Sequence, residues 1–170
     1  KRFDRHEAVV RIAGAPDRVE TLRYSVHGPV ISHDPARHRA SAVATISMQP
    51  GASGWFAMIA INLAQDWQSL KPAFALHPSP TNFHYADVDG NTGWQVIGFA
   101  PVRKRGDGLF PVPGDGAYDW TGRIMFDALP RAYNPAKGWF ASANQDNIPA
   151  DYPFRDHPLA FSFRDPYRYD

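Results

Sequence analysis

The chain has 170 residues, 44% apolar and 21% charged, with 18 basic and 17 acidic side chains that leave a net charge of +1. That size and balance fit one folded globular segment, and they give no general reason to expect nucleic acid or an anionic membrane as partner. Cysteine is absent, which excludes disulfides, thiolate metal sites and cysteine nucleophiles, and no apolar run approaches the roughly 20 residues that span a bilayer.

Residues 7–13, EAVVRIA, read as a strand, and a GAPD turn leads to a second strand over 18–26. Gly28 and Pro29 break the run, Val30 and Ile31 resume it briefly, and 33–39 are polar and turn-like. A further strand is expected over 41–48. The stretch 55–77 carries the best helical signal: Ile59, Leu63, Trp67, Leu70 and Phe74 form one apolar stripe. Asn62 or Asp66 could cap a helix start there. Pro72 removes a donor, so we expect either two short helices or a helix with Pro72 in its first turn.

The clearest hairpin joins 82–88 to 93–99 through Asp89, Gly90, Asn91 and Thr92, because an Asp-Gly pair supplies the positive φ of a tight connection. Beyond Ala100 the chain is loop-like, with glycines and prolines crowded into 106–116. Residues 121–127 read as a short strand or helix start, and WFASAN at 139–144 as a strand. The 16 Pro and 13 Gly suit strands joined by long shaped loops and fit an all-helical fold badly.

Asp87, Asp89 and Asn91 mimic the first three ligands of a calcium-binding loop, but the sixth and twelfth positions hold Thr92 and Gly98 where Gly and Glu are needed. Hairpin backbone bonding by Asp87 and Asn91 is the expectation. His33, His38, His77 and His84 stand apart from any paired metal-ligand spacing. The Gly-Asp-Gly triplets at 106–108 and 114–116 could form anion nests or tight turns, with turns favoured. Trp94, Trp120, Trp139 and Phe140 could line an apolar pocket or pack a core. Alone, Ser142 and Asn144 say little.

Several signatures in register carry more. VHGPV at 26–30, NFHYADVDGNTG at 82–93, PVPGDGAYDWTG at 111–122, YNP at 133–135 and GWFASAN at 138–144 resemble, in order and spacing, the penicillin acylase family of N-terminal-nucleophile hydrolases. The resemblance implies a strand-rich α+β fragment of a four-layer αββα sandwich. Residues 1–170 would form a single segment of the nucleophile domain, truncated at both ends. Lys1 in place of Met and an abrupt YRYD end agree with that expectation.

Family members cut themselves from a precursor, and the new N-terminal serine attacks an amide carbonyl with its own α-amine as base. An α-amino pKa of about 7.7–8.0 suits that work. The resemblance therefore implies hydrolysis of a linear amide, of penicillin, cephalosporin or acyl-homoserine-lactone type, by the complete enzyme. The isolated chain would be inactive, since Ser25 is internal and the nucleophile lies outside. Asn144 matches the family's oxyanion donor, Arg168 the arginine that positions it, and Asp156 an aspartate of a structural calcium site in some relatives. No cofactor is required for the chemistry, while a structural calcium ion is compatible with the complete enzyme. His27 marks the family's central strand motif, in a structural rather than acid–base role.

Partners implied are the remaining segments of the processed precursor and a small acylated amide, without nucleic acid or a membrane span, in the periplasm or outside the cell. A non-catalytic structural or binding module on the same scaffold is the alternative.

Overall fold

In the computed structural model, residues 2–52, 54 and 57–168 are described. Trp55 and Phe56, at the head of the predicted helical stretch, lie outside them, as do Ser53 and the terminal Tyr169 and Asp170. The chain divides into two compact units, 1–48 and 49–170.

The first unit is an antiparallel meander in the order β1 (Asp4–Val10), β2 (Arg18–Ser25), β3 (Gly28–Asp34) and β4 (Arg39–Ala42). Strand β1 runs against β2 from the Asp4–Tyr24 pair to Val10–Arg18. The turn into β3 is tight. Ser25 Oγ donates to the Gly28 carbonyl at 3.2 Å and accepts from the His27 amide at 3.1 Å. His27 thus lies in a turn rather than inside a strand.

Only glycine fits at position 28, because its φ is +126° and a Cβ there would lie 2.2 Å from the Val43 carbonyl oxygen. The polar stretch 33–39, expected to be turn, instead supplies the end of β3, and its turn is confined to 35–38. The strand predicted over 41–48 stops at Ala42, and Ile46–Met48 is a 3-10 turn. None of the described side chains in this unit is buried; Val26 is 90% exposed, and Val9, Val19 and Ile31 are also open. Such a sheet has apolar faces without a core of its own.

The second unit has α1 (Ala57–Leu63) and α2 (Trp67–Leu76) against a sheet ordered β5 (Thr81–Ala86), β6 (Thr92–Ile97) and β9 (Arg131–Tyr133), with a separate pair β7 (Pro101–Arg103) and β8 (Trp120–Arg123). Two short helices form because Asp66 caps the second. Its carboxylate accepts from the Ser69 amide at 2.8 Å, and Ser69 Oγ accepts from the Asp66 amide at 3.0 Å. Pro72 falls within the body of α2, past the first turn.

The cap also breaks the phase of the predicted stripe. Trp67, Leu70 and Phe74 are buried, whereas Ile59 is 60% and Leu63 71% exposed, and α1 buries Ala57 and Ile61 instead. Trp67 occupies the space left by Gly93, where a Cβ would come within 2.7 Å of the indole. It also stacks on Tyr133 at 5.2 Å and meets Tyr85 and Phe74 edge-on. Ile61, Ala73 and Ile97 complete that core.

The architecture is strand-rich α+β with few helices. Among the described residues no helix is long and apolar enough to cross a membrane.

Candidate active site

The hairpin of β5 and β6 is fixed at its tip by one carboxylate. Asp87 accepts from the amides of Asp89 and Asn91, from Asn91 Nδ2 at 2.8 Å and from the Tyr85 hydroxyl at 2.7 Å. The Tyr85 bond, followed by those from Asn91, holds the Asp87 carboxyl below its usual range. The same bond, with burial and the neighbouring negative charge, pushes the Tyr85 phenol up to about 12. The calcium-like spacing is therefore a hairpin lock, as expected. Asp107 and Asp115 likewise accept from the amides of Leu109 and Ala117, making the Gly-Asp-Gly triplets tight turns.

From that tip a second layer of bonds carries the chain after β9. Asn134, at φ +47°, accepts from the Thr92 amide at 2.8 Å and donates to Asn91 Oδ1 at 2.7 Å. Thr92 Oγ1 donates to the Gly138 carbonyl at 3.3 Å. Phe140 then lies flat on Trp94, with centroids 4.4 Å apart and an interplanar angle of 8°. Trp94 is itself 1% exposed and donates to Asn82 Oδ1 at 2.9 Å.

Trp94 is thus core. Trp139 is half open under the Lys137 ammonium, and Trp120 sits beside the Arg103 guanidinium. Trp139 and Phe140, with His84, Tyr85, Ala86, Thr92 and Gly93, line a shallow cavity of about 280 Å³.

Residues 139–144 do not form the strand expected from WFASAN. The backbone turns instead, and Asn144 takes φ +70°, a left-handed conformation that asparagine tolerates better than most side chains. Its carbonyl accepts from the Arg164 amide at 2.8 Å. Arg168, in the 3-10 turn Pro166–Arg168, donates through Nη2 to Asn144 Oδ1 at 2.6 Å and to the Ala143 carbonyl. A guanidinium only donates, so the oxygen of the asparagine amide must face it and Nδ2 must face away. No acceptor among the described residues engages Nδ2. Both side chains are exposed in this segment.

The structure thus brings together two of the three residues singled out from the sequence. The third, Asp156, is exposed, and among the described residues no three His, Asp or Glu side chains gather closely enough to hold a metal ion. The donor set present here does not make a calcium site by itself. His77 is buried, its Nδ1 3.0 Å from the Ser79 carbonyl, and His84 packs near the Phe140 ring.

Sequence reasoning passed over Gln145, 8% exposed, whose side chain folds back along the loop that carries Asn144. Only its position beside Asn144 could have drawn attention to it.

A strand-rich α+β segment with an asparagine amide held in a left-handed turn by an arginine is the class these observations define. The chain belongs to the penicillin amidase family, whose profile matches residues 1–170. It is 32% identical over 152 residues to penicillin G acylase of Escherichia coli, covering 88% of this chain and 18% of that protein. It is 34% identical over 164 residues to acyl-homoserine lactone acylase QuiP of Pseudomonas syringae pv. syringae strain B728a, covering 86% and 18%. The solved structure of a thermostable penicillin G acylase from Alcaligenes faecalis superposes with a TM-score of 0.80 at 26% identity, over 97% of this chain and 29% of the other. The chain therefore spans about a fifth of the length of these curated relatives.

Proposed function

We propose that the complete enzyme hydrolyses a linear amide through an acyl-enzyme, and that this segment supplies the oxyanion donor. The N-terminal serine, outside these residues, attacks the amide carbonyl while its α-amine takes the hydroxyl proton. The tetrahedral intermediate then collapses, the proton passes to the leaving amine, and water hydrolyses the serine ester.

Asn144 Nδ2 donates to the oxygen on which negative charge develops. A neutral donor already held in place stabilises that charge without reorganising, and one such donor contributes about 3–4 kcal/mol in the transition state. Arg168 keeps the amide turned and adds positive potential near the developing charge.

The observation that carries this reading is the 2.6 Å bond from Arg168 to Asn144 Oδ1, which commits the oxygen and leaves Nδ2 to donate outward. Family membership supports the acyl-transfer class. It also supports a four-layer αββα sandwich for the whole domain, to which these residues add one part. The exposed faces of the 1–48 meander agree with cover supplied by other segments of a processed precursor.

The substrate would be a small acylated amide, of penicillin, cephalosporin or acyl-homoserine-lactone type, met in the periplasm or outside the cell. Asp156 would add at most one carboxylate to a calcium site completed elsewhere, and no catalytic step depends on it.

The test is Asn144→Ala in the full-length precursor, assayed on phenylacetyl, glutaryl and long-chain acyl 4-nitroanilides. We expect intact autoprocessing with kcat lowered about 100- to 1,000-fold. An unchanged kcat would remove Asn144 from the mechanism, and failure of the parent enzyme to cleave any of the amides would favour a non-catalytic scaffold.

A further inference from the structure

We propose that Gln145 is a positioning residue for Asn144, its buried side-chain amide holding the 141–145 loop in the left-handed turn that aims Asn144 Nδ2 at the reacting carbonyl. The inference rests on the reading of Asn144 as the oxyanion donor.

The geometry is a short circuit of bonds around one exposed side chain. Gln145 Oε1 accepts from the Ala143 amide at 2.6 Å, and its Nε2 donates to the Ala141 carbonyl at 3.4 Å. The glutamine therefore reaches back past Asn144 and ties Ala141 and Ala143, before it, to the residue after it. On the other side, the Asn144 carbonyl takes the Arg164 amide, and the Ala143 carbonyl takes Arg168. Every backbone group of residues 143–144 with a bond among the described residues is thus held by Gln145, Arg164 or Arg168.

Arg168 fixes which way the Asn144 amide faces; Gln145 fixes the backbone from which that amide projects. The second control is needed because φ +70° is only one of the conformations open to an asparagine in a loop. With regular strand pairing absent from 139–144, little else in the local backbone selects it. Burial makes the glutamine suited to the task. At 8% exposed, its amide faces little competition from water, whereas the side chain it serves is open. Among the described residues, both of its side-chain hydrogen bonds are to main-chain atoms of this loop.

The experiment uses the full-length processed enzyme and whichever of the three 4-nitroanilides it cleaves fastest, with Gln145→Met, Asn144→Ala and the double variant compared. Methionine keeps the length and loses both bonds. We expect Gln145→Met to lower kcat about 100-fold, the scale of an ångström-sized misplacement of a catalytic group, with KM within a factor of two or so, since substrate contacts are untouched. In the Asn144→Ala background the same change should cost less than about threefold, because there is no donor left to aim.

If Gln145→Met fails to fold, Gln145→Glu replaces it: its carboxylate still accepts from the Ala143 amide, and a kcat well above that of Asn144→Ala is expected. Three results overturn the inference alone: Asn144→Ala is impaired while Gln145→Met is not; the two losses multiply in the double variant; or a folded Gln145→Glu enzyme is as slow as Asn144→Ala. An Asn144→Ala enzyme as fast as the parent, or a parent inactive on all three amides, overturns the reading beneath it as well.

Discussion

Arg168 Nη2 donates to Asn144 Oδ1 across 2.6 Å, joining two residues 24 apart in sequence and fixing the orientation of an amide that exposure would otherwise leave free to flip. On the proposed mechanism the arginine needs no contact with substrate to matter, because its bond to Oδ1 leaves the donor end of the Asn144 amide directed away from it. Arg168→Met in the full-length enzyme should therefore lower kcat about 10- to 100-fold, less than loss of the donor itself. Steady-state kinetics with circular dichroism as a folding control would measure it.

The contact between Gly93 and Trp67 predicts a stability effect separate from chemistry. A methyl at position 93 would lie 2.7 Å from the indole, inside the cluster that joins α2 to the hairpin. Gly93→Ala should destabilise the second unit by about 1–3 kcal/mol, the usual cost of overpacking a filled core. Denaturant melts of the full-length protein would show a lower midpoint, and an unchanged midpoint would mean that Trp67 can shift.

Gly28 makes a harsher case. A side chain there meets both a disallowed φ of +126° and the Val43 carbonyl at 2.2 Å. Gly28→Ala should open the junction of β2, β3 and β4, faster proteolysis within residues 24–44 being its signature.

The hairpin lock predicts a pH dependence at both extremes. The folded Asp87 carboxyl titrates below its unfolded value, so its contribution is complete above about pH 4 and is lost as pH falls through the folded value. The folded Tyr85 phenol titrates at about 12, so its contribution is held below the unfolded value and lost as pH rises through 12. Tyr85→Phe removes the largest cause of the Asp87 shift. The loss of Tm as pH falls below about 4 should therefore be smaller in that variant, as differential scanning calorimetry would detect.

The hairpin was legible because its information is local: Asp89 and Gly90 specify the turn, and alternation specifies the strands beside it. Strands β7 and β9 were not, since each has three residues and the partner that makes Arg131–Tyr133 a strand is β6, more than thirty residues earlier. The apolar stripe misled at Ile59 and Leu63 because it carried one helical phase through the whole stretch, whereas the Asp66 and Ser69 box restarts the count. Asn144 and Arg168 were found through resemblance alone; neither has a periodicity or a charge pattern to mark it. Gln145 had no signal beyond its place next to Asn144, the role proposed for it arising from a side chain that doubles back on the main chain.

The proposed mechanism depends on where Asn144 Nδ2 lies when charge forms on the substrate oxygen. The direct measurement is a crystal structure of the full-length enzyme carrying a tetrahedral phosphonate adduct on its N-terminal serine. We predict Asn144 Nδ2 within about 2.7–3.1 Å of the oxygen that stands for the oxyanion, the spacing such a donor requires, with Arg168 still on Oδ1. An Nδ2 directed to solvent with that oxygen held by other donors would contradict the account.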